Sequence, residues 1–122
     1  MNITSDQSQT ALRATAGARL AEVAIAAAIR IPLAGLRAAS RGRKSIALAR
    51  QTAMYLAHVA FGLSLTRVGI CFGRDRTTVR HACALIEDRR DDPALEFGLA
   101  ALEAALLAAM ARLAEQPAEA RQ

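Results

Sequence analysis

The stretch SLTRVGICFGRDRTTVRHACALIEDRR, residues 64–90, decides the fold. Ser64 is placed to cap a short helix over 65–72, and Gly73 turns left-handed at little steric cost. Asp75 then caps a second helix by accepting its free amide hydrogens. On a helical wheel Val79, Ala82, Cys83 and Ile86 share one side, which leaves Thr77, Arg80, His81 and Ala84 facing outward with Arg76 at the flank. Two helices joined by a tight glycine turn make a helix-turn-helix unit.

The flanking segments are helical in pattern as well. Upstream, Leu12, Ala16, Leu20, Val23, Ala27 and Ile31 recur at three- and four-residue spacing, which predicts a first helix over 9–30 with that face inward. Pro32 suits the start of a short helix over 33–39, since it has no amide hydrogen to lose there. A polar loop over 40–45 follows, and then a third helix over 46–60 with Ile46, Ala49, Ala53, Leu56 and Val59 or Ala60 on its inner face, ended by Gly62. Downstream, Asp91-Asp92-Pro93 stops one helix and starts another over 94–113, where Leu95, Leu99, Leu102, Leu106, Met110 and Leu113 form a stripe that lines the core or pairs with a second chain. The expected architecture is all-α. Residues 1–8 form a loose tail, 9–92 the helix-turn-helix domain, 93–115 an additional C-terminal helix and 116–122 a second tail.

Composition narrows the class. Apolar residues make up 53% of the 122, enough for one core, while the four aromatics and abundant alanine favour closely approaching helices over a sheet. Between Val23 and Ile86 ten basic residues meet one acid, Asp75, whereas the chain beyond Ile86 carries eight acids and four arginines. A basic middle attracts polyanions by Coulomb steering and by release of condensed counterions.

Other chemistries find little support. Ser40-Arg41-Gly42-Arg43-Lys44-Ser45 has Arg43 where a phosphate-binding loop needs glycine directly before lysine, and no strand pattern precedes it, so nucleotide binding is rejected. His58 and His81 with Cys71 and Cys83 lack the paired spacing of a zinc site, and the two cysteines read as reduced core thiols of a cytoplasmic protein. His58 reads as an ordinary helix-surface histidine. No nucleophile, base and orienting acid form a set, so neither catalysis nor a cofactor is expected. The first ten residues are polar and resemble neither a secretory signal nor a membrane span.

Several dispersed motifs in order then point to a family. Ala49-Arg50-Gln51-Thr52-Ala53-Met54-Tyr55-Leu56, Leu63-Ser64-Leu65, and Phe72 through Cys83 together resemble the C-terminal DNA-binding domain of the DnaA family of bacterial replication initiators, over residues 26–90. The resemblance implies a compact helical domain whose Gly-Arg-Asp-His-Thr-Thr-Val signature reads the major groove of a short origin box while a basic loop reaches the minor groove. Arg74, Asp75, Thr77, Thr78 and His81 match that signature, and Arg76 stands where the family has histidine. A thymine-methyl contact is thereby replaced by a longer charged donor. The family's minor-groove arginine aligns near Gly42, between Arg41 and Arg43, and Thr66 stands where the family usually has proline. Arg50 and Gln51 match positions that lie against phosphates. Lys44, Ser64 and Arg80 complete the expected DNA-binding set. The family's ATPase module has no counterpart in these residues. The implied partner is double-stranded DNA at origin-box-like or promoter sites, with a replication initiator or its regulators and a homodimer through the last helix as further expected partners. The expected place is the nucleoid in the cytoplasm, with no membrane. The alternative is a protein-interaction module that uses the acidic, leucine-striped end to modulate the initiator or its regulators.

Overall fold

A computed structural model describes residues 3–37 and 44–115. Among the described residues six helices follow one another: α1 (Ile3–Ile29), α2 (Leu33–Arg37), α3 (Lys44–Phe61), α4 (Leu65–Phe72), α5 (Arg76–Arg89) and α6 (Pro93–Ala114). Among the described residues there is no strand. The expected loop residues Arg41 and Arg43 lie outside the described residues.

Helix α3 is the hub, because α1, α2, α4, α5 and α6 all pack on it. Its run Ala53, Met54, Tyr55, Leu56 and Ala57 is buried without interruption. The expected inner face holds at Ala49, Ala53 and Leu56, with Ala60 rather than the exposed Val59 and with Ile46 half-buried, but burial extends beyond that stripe because five helices pack on α3. Against this hub pack Val68 of α4, Val79, Ala82 and Ile86 of α5, and Leu99 and Leu106 of α6. Burying side chains of this size stabilises the fold by about 1.5–3 kcal/mol each before entropy is counted.

Two expectations for α1 need correction. The helix starts at Ile3, so most of the expected tail over 1–8 is helical; adding a residue to an existing helix gains a backbone hydrogen bond without repeating the cost of nucleation. The expected inward face holds only at Leu20 and Ile31, which pack half-buried against the core. Leu12 and Val23 are exposed, whereas Ala14, Ala18, Ala21, Ile25 and Ala26 are buried, a stripe displaced by about two residues. The reason is close packing: a Cβ on Gly17 would stand 2.9 Å from the Phe61 ring of α3, so the smallest residues of α1 face the hub. In a segment so rich in alanine, side-chain size chooses the face and hydropathy does not.

The C-terminus of α1 is a left-handed cap made without glycine. Arg30 sits at φ 59°, and the amides of Arg30 and Ile31 donate back to the carbonyls of Ala27 and Ala26. Pro32 then offers its carbonyl to the amides of Gly35 and Leu36, which starts α2 as expected, although α2 is described only to Arg37.

Candidate nucleic-acid interface

The turn between α4 and α5 is built from three local devices. Ser64 Oγ accepts from the Arg67 amide at 3.0 Å, and Asp75 Oδ1 accepts from the Thr78 amide at 2.8 Å, so both expected caps form. Gly73 at φ 66° ends α4, its amide donating to the Gly69 carbonyl, which also accepts from the Arg74 amide at 2.9 Å. Gly69 itself was not singled out from sequence. It is buried, and a Cβ there would stand 2.5 Å from the Arg74 carbonyl oxygen, so the turn closes against bare backbone. A glycine inside a helical pattern beside a turn is the only sequence signal that points to it.

With the turn fixed, α5 buries Val79, Ala82 and Ile86 and presents Arg76, Thr77, Thr78, Arg80 and His81 to solvent. Among the described residues neither Arg76 nor Arg80 takes part in an ion pair. The Asp75 carboxyl is held below the ordinary aspartate value, first by the Thr78 amide, then by the Thr78 hydroxyl and more weakly by the Thr77 amide. An anion at this position also suits the positive end of the helix dipole.

The remaining predicted residues divide. Lys44 is exposed at the first residue of α3, and Gln51 is half-buried about two turns further along. Arg50 is only partly accessible: its Nε donates to the Leu36 carbonyl at 3.0 Å, tying α3 to α2. Burial, and secondarily the charge of Arg74, hold its guanidinium below its usual value. Arg50 and Arg74 line one small groove of about 140 Å³ with Arg19, Phe72 and the buried Glu22 carboxylate, which pairs with Arg19 at 2.9 Å.

His58 is tied up locally, its Nδ1 lying 2.6 Å from the Leu63 carbonyl and bracing the α3–α4 connection. Cys71 and Cys83 are free thiols, both half-buried, and burial raises the Cys83 thiol above its ordinary value. Among the described residues no cluster of histidine, cysteine and carboxylate groups has the make-up of a metal site.

Sequence reasoning also missed what anchors the far end of α5. Arg90 donates from Nη1 to Glu103 Oε2 at 2.8 Å and to the Tyr55 hydroxyl at 2.9 Å, and from Nε to Glu96. The Tyr55 hydroxyl in turn donates to Glu87 Oε2 at 2.6 Å. One guanidinium thus joins α5, α3 and α6, and these partners hold it firmly in its charged form. Burial, followed by the Glu87 carboxylate, raises the Tyr55 phenol above its ordinary value, against the opposing pull of Arg90.

Comparison with known proteins agrees with this geometry. The family model for the bacterial DnaA protein helix-turn-helix matches residues 22–86. The chain is 38% identical over 71 residues to chromosomal replication initiator protein DnaA 2 of Chlamydia trachomatis, covering 58% of this chain and 15% of that protein. It is 42% identical over 65 residues to DnaA 1 of Protochlamydia amoebophila, covering 53% and 14%, and 42% identical over 76 residues to DnaA of Laribacter hongkongensis, covering 61% and 16%. The chain therefore spans about one seventh of the length of these relatives. No solved structure matches it.

Proposed function

For a chain that belongs to the bacterial DnaA helix-turn-helix family, we propose sequence-preferring binding of double-stranded DNA at origin-box-like or promoter sites, without nucleotide hydrolysis. Its place in this reading is the cytoplasmic nucleoid, where it regulates replication initiation or transcription. The observation that carries the reading is the first two turns of α5: Arg76, Thr77, Arg80 and His81 are exposed together at the end of a helix whose other side is locked into the core. A helix presented end-on by a preceding helix enters the major groove with its first turns against base edges.

Each side chain then takes a role its chemistry permits. Arg76 supplies two parallel donors for a guanine edge, and Thr77 offers a hydroxyl and a methyl for an adenine or thymine. Arg80 and His81, one turn on, reach the flank of the same groove. Lys44, Arg50, Gln51 and Arg74 lie against backbone phosphates, and Arg41 with Arg43 reach the minor groove. Ser64 and Thr78 lie at helix starts, where backbone phosphates also bind.

Fluorescence anisotropy of labelled duplexes across a salt series tests this. Replacing Arg41 and Arg43 together with alanine is expected to weaken binding to all sequences alike and to lower the slope of log affinity against log salt by about two. Undetectable binding of the parent protein to any duplex at low salt would overturn the reading.

A further inference from the structure

Helix α4 is too short to hold its own place, so the helices it packs against, α1, α3 and α5, set where it lies. Its last carbonyls need donors from elsewhere. The Gly69 carbonyl accepts from the amides of Gly73 and Arg74, and the Cys71 carbonyl accepts from Nη2 of Arg19, a residue of α1 that lies 52 positions away. There is no basic residue in the last turn of α4 itself, so the cation that suits the negative end of its dipole is lent by α1.

Arg19 is itself held in place. Its Nη1 pairs with the Glu22 carboxylate at 2.9 Å, where the Glu22 side chain is only 5% exposed, and its guanidinium carbon lies 5.5 Å from the centre of the Phe72 ring. The backbone from which it reaches is fixed, because Ala18 and Ala21 on either side are wholly buried. Among the described residues its Nε is buried without a hydrogen-bond partner, and an unpaired buried donor offsets part of what the other contacts contribute. The cluster therefore supplies geometry more than stability: one side chain grips the last two residues of α4, and the turn Gly73-Arg74-Asp75 starts on the next residue.

We propose that Arg19 is a positioning residue for DNA reading: by fixing the C-terminal end of α4 to α1, it sets the direction in which the start of α5 is presented to the duplex. The inference rests on the DNA-binding reading above and adds to it a residue that acts through the fold and not through the nucleic acid. The caps and the glycine turn fix α5 relative to α4, whereas the bond from α1 fixes that pair relative to the core. Arg90 does the same for the far end of α5, which it joins to α3 and α6. Arg19 precedes residues 22–86, the stretch that the family model covers.

Anisotropy titrations of a duplex selected by the parent and of a scrambled duplex test this with Arg19→Ala and Arg19→Lys. Both variants are expected to lose about tenfold in the ratio of the two affinities, the order of one base contact, while binding to the scrambled duplex stays within about twofold of the parent. Both duplexes draw on the same folded pool, so a variant that is merely less stable keeps the parental ratio. Lysine restores the charge but not the planar fork that reaches Glu22 and the Cys71 carbonyl together.

In the free protein, amide hydrogen exchange at Gly73 and Arg74 is expected to rise in Arg19→Ala by more than that of Met54 and Leu56 in α3, because the end of α4 loosens before the hub does. An unchanged affinity ratio would overturn the inference, as would equal acceleration of all four amides. So would a salt slope lowered by about one in Arg19→Ala and restored in Arg19→Lys, which would make Arg19 a direct phosphate ligand. A parent that binds both duplexes equally would overturn the DNA-binding reading itself, and this inference with it.

Discussion

The two ends of α5 contrast sharply. Just past its C-terminal end the half-buried Arg90 is used within the protein: it is shared by Glu96, Glu103 and the Tyr55 hydroxyl, and Tyr55 is itself bonded to Glu87. At its N-terminal end a single exposed carboxylate caps the helix, and Arg76 and Arg80 stand in solvent. The difference teaches where the molecule spends its polar groups. One end is anchored so that the other can be offered, rigidly, to something outside.

The contrast predicts that stability and recognition separate by position, and Gly69 is where both should fail together. Gly69→Ala drives a methyl against the Arg74 carbonyl oxygen, and the expected cost is about 3 kcal/mol of stability by urea titration, accompanied by loss of DNA affinity because α4 and α5 can no longer keep their angle. A variant of parental stability would show that the turn opens without strain.

Arg90→Ala should cost about 2 kcal/mol in the same titration, since it leaves Glu103 and the Tyr55–Glu87 pair without their shared donor. The Glu96 arm adds little, because that carboxylate is about half exposed. Sequence preference should survive, measured where the variant is still folded, since the first turn of α5 is untouched. Arg76→Ala should do the reverse. Thermal stability stays within about 0.5 kcal/mol of the parent, as for most surface substitutions. Discrimination between preferred and scrambled duplexes falls by about 1.5 kcal/mol, or roughly tenfold.

The smallest effect belongs to Asp75. Its folded-state pKa lies below the unfolded value, so the cap's contribution is complete above the ordinary aspartate range and is lost as pH falls through the depressed folded value. Asp75→Asn keeps a capping oxygen that does not titrate. It should therefore show a flatter loss of stability on acidification than the parent, as followed by circular dichroism.

These two ends were not equally legible in the sequence. The presented end is written in local punctuation, with Ser64, Gly73 and Asp75 each acting within three or four residues of themselves, and the wheel of α5 places its four outward residues correctly. The anchored end is not, because Arg90 meets Tyr55 across 35 residues and Glu103 across 13, and no periodicity encodes such a meeting. Helix α1 shows a third case. Its apolar residues surround the helix, so several faces fit the same pattern, and only the shape of Phe61 against Gly17 selects one. The basic pair Arg41 and Arg43 lies outside the described residues, and its part in binding rests on the salt series.

The central claim is that the first turn of α5 reads base edges, and selection of bound duplexes from a random library by the parent and by Arg76→Ala tests it most directly. The account predicts that the parent enriches a short box and that the variant loses preference at one or two adjacent positions while the rest of the box persists. Identical enriched boxes from both proteins would contradict it.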